Sequence, residues 1–325
     1  PGLKLYTSNR LEILVEKLAG LLREPLPSPM EKEIILVQSK GMERWVSMEL
    51  ARYHGICANY RFPFPNRFVF EVFQKVIPDL PEDSPFDPAV MAWKVMKLLP
   101  SCLEKRAFKN LKFYLEEDRA SLKLFQLSFR IADLFDQYLT FRPGMILDWQ
   151  KEKGPHSQDW QAILWRELVK GNEHGHDAAL RQAFLERVRR PSARLENLPE
   201  RIAVFGISAL PPFHIQILAE VSRFIDVHLF LMNPCQKYWG DIVSGREMMK
   251  VVEHEKTAGP PEDLHLERGN GLLASMGMLG RDFLKLITDL GPEDYALFAE
   301  PGEETLLSTI QADILNLQDR GKEGS

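Results

Sequence analysis

The turn between the first predicted strand and the first predicted helix is where many α/β proteins bind nucleotide phosphates. Such loops need glycines, which let backbone N–H groups approach the phosphates, together with a lysine and a Mg²⁺-binding hydroxyl. Residues 7–13 read TSNRLEI and contain neither glycine nor lysine. Ser8 or Asn9 is expected to cap the helix, so the turn is predicted to be structural. A residual anion site that uses Arg10 at the helix N-terminus is the alternative.

The carboxylate that would hold Mg²⁺ is missing as well. In a working NTPase, an apolar strand ends in an aspartate that binds the metal. Here the apolar run 202–205 continues into GIS, and the later run 225–231 continues into MNP. Because both halves of the site are lost, we predict no nucleotide hydrolysis.

Other catalytic patterns are weaker. His174 and His176 could share a metal ion, as could His54 and Cys57, but neither pair has further ligands at a typical spacing, and a solvated loop is the preferred interpretation of the first pair. The segment GISAL at 206–210 lacks the second glycine of a nucleophile elbow. The sequence also shows no acidic cluster typical of a two-metal nuclease.

Aromatic residues are dense in FPFPNRFVFEVF, residues 62–73. One interpretation is a core helix that follows a proline-stiffened segment. The other is that Phe64 or Phe70 faces a channel in which nucleic-acid bases stack, at about 1–3 kcal/mol per base.

Polar residues form a second pattern in ADLFDQYLTFRP, residues 132–143. Asp133, Asp136 and Gln137 share one helical face at the spacing of three to four residues. A solvated face explains this pattern. A face that reads base edges is the alternative, because Asp accepts hydrogen bonds from amino groups and Gln can pair with adenine.

Basic residues occur where they could hold phosphate groups. Lys40 and Arg44 lie at the start of the second predicted helix, and RVRRPSAR at 187–194 is the densest basic cluster. A solvated helix end is the simpler interpretation of this cluster, with phosphate contact as the alternative.

Composition sets limits on the class of protein. The 325 residues are 45% hydrophobic and 27% charged, as in ordinary globular proteins, and could form about two domains. The net charge of -5 excludes a polybasic DNA binder. Three dispersed cysteines and the lack of a signal peptide or membrane-spanning run predict a cytoplasmic location without disulfides. The polar end NLQDRGKEGS is typical of a linker, so we expect the chain to continue past Ser325.

Two groups of strands flank a long helical stretch. The apolar runs 3–7, 33–38, 201–206 and 225–231 predict strands of a parallel sheet. Helices are predicted over 11–22, 42–53, 66–77 (capped by Asn66), 87–99 (ended by Pro100), 103–115, 122–141, 160–169, 178–190, 211–221, 272–290 and 304–318, with a loop at 255–263. The prediction is an α/β core in two parts, 1–65 and 196–325, interrupted by a helical insertion at 66–195.

Several of these motifs together resemble one family. LYTSNRLEILVE, ILVQSKGMERW, FQLSFRIADLFDQYLTFRP, GISALPP, NPCQKYWGDI and LLASMGMLGRD are similar, in the same order, to the N-terminal region of the RecC family, the gamma subunit of exodeoxyribonuclease V. The resemblance covers essentially the whole chain. It implies a P-loop NTPase-like core, like the first motor domain of a superfamily 1 helicase, with a helical insertion and decayed nucleotide motifs.

The resemblance also implies a function. A RecC subunit of the RecBCD helicase–nuclease guides the separated strands of double-stranded DNA ends and scans the 3′ single strand for the Chi signal during double-strand break repair and recombination. ATP hydrolysis and DNA cleavage belong to RecB, with a second motor in RecD. We therefore expect RecB-like and RecD-like partners, no membrane association, no activity of this chain alone, and no cofactor in this chain, since ATP and Mg²⁺ would be held by the partners.

The resemblance further implies DNA-contacting residues. The positions that match the family in type and context are Gln38, Asp133, Leu134, Asp136, Gln137 and Arg142. Phe64 and Phe70 stand where the family is also apolar or aromatic. Lys40 and Arg44 replace smaller or neutral polar residues, and Asp177 stands where a basic residue is expected. These departures leave open whether the same octamer, or any octamer, is recognised.

Two other functions remain as alternatives. The chain could be a purely structural docking platform for the RecB-like motor, through the predicted amphipathic helices at 272–290 and 304–318, with no direct DNA reading. An active NTPase or nuclease with an unrecognised site is the third hypothesis.

Overall fold

The protein consists of two compact units. The computed structural model describes residues 1–116, 121–190, 195, 198–242, 269–302 and 304–320. One unit comprises 1–68 together with 198–325, and the other comprises 69–197. Each unit contains its own cluster of buried apolar side chains. The segment 255–263, predicted to be a loop, lies outside the described residues.

The first unit is built on a six-stranded parallel sheet with the strand order β3-β2-β4-β5-β1-β6. The strands are β1 (Gly2–Ser8), β2 (Glu33–Leu36), β3 (Tyr60–Arg61), β4 (Arg201–Phe205), β5 (Asp226–Met232) and β6 (Glu293–Ala296). The four predicted strands are confirmed, and they are the four interior strands. The edge strands β3 and β6 lack an apolar run because they are short and largely outside the core, so periodicity alone does not predict them.

Helices account for most of the remaining described residues. They are α1 (Leu11–Leu21), α2 (Lys40–His54), α3 (Pro65–Val76), α4 (Pro88–Cys102), α5 (Lys109–Leu115), α6 (Leu122–Phe141), α7 (Pro143–Gln150), α8 (Trp160–Val169), α9 (Asp177–Val188), α10 (Pro212–Val221), α11 (Gly271–Met276), α12 (Met278–Thr288) and α13 (Leu306–Leu315), with a 3₁₀ turn at Arg106–Phe108. Helices α4–α9 belong to the second unit, so the predicted α/β character with a long helical stretch is confirmed.

An aromatic ladder crosses the sheet on the face covered by α1 and α2. The register places Phe205 beside Phe230, Phe230 beside Tyr6, and Tyr6 beside Tyr295. The ring centroids are 5.8, 4.7 and 4.8 Å apart in that order, and Trp45 of α2 lies 6.1 Å from Phe205. Aromatic pairs contribute about 0.5–1.5 kcal/mol each beyond the burial of their surface, so the ladder ties β4, β5, β1 and β6 together.

One ring of this ladder, Tyr6, also forms a polar pair with His228. The hydroxyl of Tyr6 lies 3.2 Å from Nδ1 of His228, which is buried on β5. Burial raises the pKa of Tyr6 to about 12 and lowers the pKa of His228 to about 4. Both side chains are therefore neutral near pH 7, and one hydrogen bond joins the hydroxyl to the imidazole.

The core of the second unit is formed mainly by α4, α6 and α8. Phe135 of α6 lies 5.3 Å from Trp165 of α8, and Phe86 lies 6.0 Å from the same indole (centroid distances). Met91 and Val95 of α4 are fully buried in the same cluster. The spacing of these residues at three to four positions is the pattern that predicts these helices.

Several predicted helix ends are wrong. Helix α4 continues through Pro100 to Cys102, since a proline in the last turn removes only one backbone hydrogen bond. The predicted helix at 103–115 divides into the 3₁₀ turn and α5, and α7 follows Arg142 without having been predicted. The predicted helix at 272–290 is broken at Gly277, where a Cβ atom would lie 2.5 Å from the Leu273 carbonyl oxygen and 2.8 Å from the Trp239 ring.

In the loop before α9, His176 has a structural role as the cap of that helix. His176 is completely buried, its Nδ1 accepts a hydrogen bond from the backbone N–H of Ala179, and its Nε2 donates to Gln150 over 2.9 Å. Burial lowers the pKa of His176 to about 4. His174 is exposed. His176 is thus a neutral helix cap, and neither a shared metal site nor a solvated loop describes it.

We predict that the pair between Glu33 and Arg201 is worth more than exposed ion pairs. The Arg201 guanidinium donates to both carboxylate oxygens of Glu33. Both side chains are largely buried: Arg201 is 11% exposed and Glu33 is 14% exposed. Glu33→Ala should lower the free energy of unfolding by about 3 kcal/mol, because it leaves a buried charge unpaired. In the control, Glu104→Ala, which breaks an exposed pair with Lys112, the loss should stay below about 1 kcal/mol in urea denaturation. Equal losses would show that burial does not strengthen the Glu33 pair.

We predict that His176 makes the fold sensitive to acid. The unfolded chain binds a proton at His176 near pH 6.5, whereas the folded chain binds it only near pH 4. The free energy of unfolding should therefore fall as pH drops from about 6.5 to about 4, by about 3 kcal/mol from this residue. His176→Asn keeps a capping acceptor but cannot titrate, so the variant should lose this part of the pH dependence and retain that from His228. Parallel stability–pH curves for wild type and variant would contradict the assignment.

Candidate nucleic-acid contact residues and the nucleotide-like edge

The carboxyl ends of the parallel strands lie along one edge of the sheet, where open α/β proteins usually bind ligands. In the turn after β1, Ser8 is buried and its Oγ accepts a hydrogen bond from the backbone N–H of Arg10 over 3.1 Å. Arg10 occupies the capping position of α1, and no side chain caps that helix. The prediction that Ser8 or Asn9 caps α1 is therefore wrong.

Asn9 instead bonds to the segment that follows β6. Its Nδ2 donates to the carbonyl oxygen of Ala299 over 2.7 Å, and its Oδ1 accepts from the Ala299 N–H over 3.0 Å. The N–H of Leu297 also donates to the carbonyl oxygen of Thr7. The chain's own backbone thus lies against the turn and satisfies its polar side chain, at the place where a phosphate-binding loop would hold its ligand.

Residues that follow the neighbouring strands β5 and β4 also make their contacts within the chain. The Oδ1 atom of Asn233, after β5, accepts from the N–H of Cys235 and from the Trp239 indole. After β4, Gly206 adopts φ +64 and packs against Met42. Ser208 is exposed, and within the described part of the chain no hydrogen bond joins it to a histidine or carboxylate. Among the described residues of this edge, Asn9 and Asn233 thus have their side-chain polar atoms bonded within the chain.

Four of the predicted contact residues lie near the start of α2. Gln38, Lys40, Arg44 and Phe64 are all exposed. Lys40 Nζ lies 2.7 Å from a carboxylate oxygen of Glu43 and 5.7 Å from the centre of the Phe64 ring. The structure therefore brings a cation and an exposed aromatic ring together in the first unit, as a surface that could contact both phosphate and base.

Phe70 differs from Phe64. It lies in α3 with 8% of its surface exposed, whereas Phe64 is 42% exposed. Its ring face is therefore covered in this structure, as in the core-helix interpretation of the segment.

The second half of α6 carries the remaining predicted residues. Asp133 and Gln137 are exposed, Leu134 and Asp136 are half-buried, and Arg142 is exposed directly after the helix. The backbone N–H of Arg142 donates to the Tyr138 carbonyl oxygen over 2.8 Å and so ends α6. One rigid helix thus holds all five side chains of this group along its length or at its end.

Carboxylates cluster around Asp136. Burial raises its pKa, and the nearby carboxylates of Asp87 and Asp133 raise it further. Burial and the Asp136 carboxylate together raise the pKa of Asp177 to about 6. Asp87 caps α4, so its sequence signature, Asp followed by Pro, indicates a helix start and nothing about the cluster. Each of these carboxyl groups therefore disfavours further negative charge beside it.

A groove lined by two arginines, a glutamate (Glu186) and apolar residues lies in the same unit. It has a volume of about 420 Å³ and lies between α7 and α9. Its lining includes Arg181, Gln182, Leu185 and Arg189, and burial lowers the pKa of Arg181. The basic cluster predicted at 187–194 begins in α9, and its residues 191–194 lie outside the described part of the structure.

The described residues were also compared with the requirements of a metal site and of a membrane span, and they meet neither. Among those residues, no group of three or more histidine, cysteine, aspartate or glutamate side chains could hold a metal ion. Within the same part of the chain, no helix combines the length and apolar character needed to span a membrane.

Comparison with known proteins identifies the family. The family model for the RecC N-terminal domain matches residues 3–317. RecBCD enzyme subunit RecC of Escherichia coli (strain K12) is 39% identical to this chain. The alignment covers 99% of this chain and 31% of that protein. The same subunit of Haemophilus influenzae is 34% identical over 97% of this chain and 33% of that protein. The counterpart in Mycolicibacterium smegmatis is 26% identical over 96% of this chain.

This chain spans about a third of the length of the curated relatives it matches. The match runs through both units, from the second residue of β1 to two residues past α13, and includes every predicted contact residue. On this evidence the chain belongs to the RecC family and corresponds to its N-terminal domain.

Proposed function

We propose that this chain is the non-catalytic, DNA-contacting N-terminal part of a RecBCD-type helicase–nuclease, exodeoxyribonuclease V, acting in DNA repair and recombination. The observation that carries the proposal is the family match over residues 3–317. Relatives that share this region are subunits of the RecBCD enzyme by name, so RecB-like and RecD-like subunits are the proposed partners. A cytoplasmic location follows from the same proposal.

The fold supports a non-catalytic role. We propose that the first unit is a P-loop NTPase-like, superfamily 1 helicase-like core whose nucleotide site has degenerated, and that 66–195 is its helical insertion. In support, the turn after β1 is bonded to Ala299, and the strands β4 and β5 end without a carboxylate. ATP and Mg²⁺ would then be held by the partner subunits.

The helical unit supports strand reading. In our proposal, single-stranded DNA passes the exposed face of α6, where Asp133, Asp136 and Gln137 contact base edges and Arg142 contacts a phosphate. The raised pKa of Asp136 favours this division of roles, since a desolvated carboxyl group gains from a base amino donor. Scanning of the 3′ strand for a Chi-type signal is the specific activity proposed for this face.

A second part of the proposed contact surface lies in the first unit. The exposed ring of Phe64 beside Lys40 suits a stacked base with its phosphate nearby, and Gln38 and Arg44 are exposed at the same end of α2. Phe70 belongs to the proposal as a supporting core residue, because its ring is covered.

The docking-platform function also has an observation in its favour. Leu272, Met276, Met278 and Leu279 are 47–80% exposed around the break between α11 and α12. Methionine-rich apolar surfaces adapt to protein partners, so this segment suits contact with a motor subunit. Contact there is compatible with strand reading by α6. Contact between α6 and DNA is therefore the observation that distinguishes strand reading from a purely structural docking platform.

We predict that this chain does not bind Mg-ATP. Calorimetric titration should show no saturable heat for wild type or for Arg10→Ala. Asn9→Ala should lower the free energy of unfolding by about 1–2 kcal/mol, because two hydrogen bonds to Ala299 are lost, without creating nucleotide binding. Saturable Mg-ATP binding by the wild-type chain would refute the degenerate-site proposal.

We predict that α6 touches the unwound 3′ strand in the assembled complex. A photocrosslinking amino acid at Gln137 should crosslink to the 3′ strand of a DNA end bound by the complex with its RecB-like and RecD-like partners. The same group at Asp148, which is exposed on α7 of the same unit, serves as the control and should give little product. If position 137 crosslinks no better than position 148, the docking-platform function is favoured instead.

A further inference from the structure

An exposed aromatic cluster lies on the second unit, outside every position considered so far. Trp93 of α4 is 59% exposed, and its ring centroid lies 5.8 Å from Phe125 and 6.1 Å from Phe129 of α6. The two phenylalanine rings are 4.6 Å apart. Large exposed rings of this kind are uncommon on globular surfaces and indicate a binding function.

The cluster is preorganised. Both phenylalanine rings contact the indole, so Trp93 is held in one orientation while much of its surface stays accessible. A ring fixed in this way loses little conformational entropy when a flat partner stacks on it. The helices beneath it are anchored by fully buried residues of the core, including Met91, Val95 and Phe135.

Basic side chains predominate around the cluster, and the exposed Asp133 lies one helical turn beyond Phe129 on α6. Residues 88–102 and 122–132 contain Lys94, Lys97, Lys123 and Arg130 and no aspartate or glutamate, in a chain whose net charge is -5. Lys97 and Arg130 are exposed, and no ion pair within the described ranges involves either of them. Lys97 follows Trp93 by one helical turn and therefore lies on the same face of α4. A surface of rings and unpaired cations suits a polyanion that carries aromatic groups, and suits an apolar protein partner less well.

The cluster shares one exposed stripe with the proposed reading residues. The exposed residues of α6 follow one another at helical spacing: Leu122, Phe125, Gln126, Arg130, Asp133, Gln137 and Phe141. Phe125 and Gln137 are separated by about 18 Å along the helix, at 1.5 Å per residue. A strand of a few nucleotides could therefore touch both regions of the stripe.

We infer that Trp93, Phe125 and Phe129, flanked by Lys97 and Arg130, form a stacking platform for the bases of single-stranded DNA. The platform is a sequence-independent subsite that holds the strand while the second half of α6 reads it, and in this respect the inference rests on the proposed function. Stacking fits any base, because every base presents an aromatic face, and the two cations contact neighbouring phosphates.

The test is binding of a fluorescent oligo-dT of about 20 nucleotides to this chain at low salt, measured by anisotropy. Trp93→Ala should weaken binding about 10-fold, equivalent to about 1.4 kcal/mol. Trp93→Phe keeps a ring and should bind nearly as wild type does. Lys97→Gln should lower the slope of log affinity against log salt by about 0.7, the value expected for one phosphate contact on a single strand. Tyr53→Ala, which removes an exposed ring from the first unit, is the matched control and should bind as wild type does.

The outcomes separate this inference from the proposed function. No saturable oligo-dT binding by the wild-type chain, or equal binding by Trp93→Ala and wild type, overturns the platform, and crosslinking at position 137 still decides strand reading. If Trp93→Ala leaves oligo-dT binding unchanged but prevents assembly with the partner subunits, the cluster is a protein-docking surface and the inference is wrong. Loss of binding in Trp93→Ala without any crosslink at position 137 supports the platform and counts against reading by α6.

Discussion

Aromatic stacking across four parallel strands is the interaction on which the first unit depends. Phe205, Phe230, Tyr6 and Tyr295 occupy adjacent register positions, so each ring is packed between neighbours and beneath α1 and α2. A register shift of one residue on any of these strands would turn its ring to the opposite face. The ladder therefore fixes the register of β4, β5, β1 and β6, and with it the place where these four strands end at the carboxyl edge.

At the carboxyl edge of the sheet, polar side chains bond to the chain itself and are not left open to a ligand. Its geometry is that of a ligand-binding α/β edge, but its polar groups are used within the chain. Asn9 pairs with the Ala299 backbone, and Asn233 accepts from Trp239 and from a backbone amide. A polar group already satisfied by the chain gains little from a ligand, because binding would only exchange one hydrogen bond for another. A parallel-sheet edge can in this way keep its shape while its polar side chains serve the fold.

In the helical unit, the main feature is a helix that is buried on one side and exposed on the other. Helix α6 is a straight support that buries Ile131, Phe135 and Leu139 and leaves one polar and aromatic stripe in solvent. In its second half, burial and neighbouring carboxylates raise the pKa of Asp136, whereas the charged residues of its first half, Lys123 and Arg130, are basic. This separation of charge along one helix suits a ligand whose bases and phosphates must be treated differently.

Local sequence patterns were sufficient for the interior strands, for most helices and for the absence of glycine and lysine from the turn after β1. Buried strands need continuous apolar runs, helices need apolar residues at the spacing of three to four, and phosphate loops need glycine and lysine, so each feature leaves a local signature. Only the tertiary structure decided the edge strands β3 and β6, the break at Gly277, the capping role of His176 and the partnership of Asn9 with Ala299. It also decided that Asp87 and Asp177 join Asp136, and that Trp93 meets Phe125. These features depend on contacts between residues far apart in the chain, and such contacts leave no periodic signal in a single sequence.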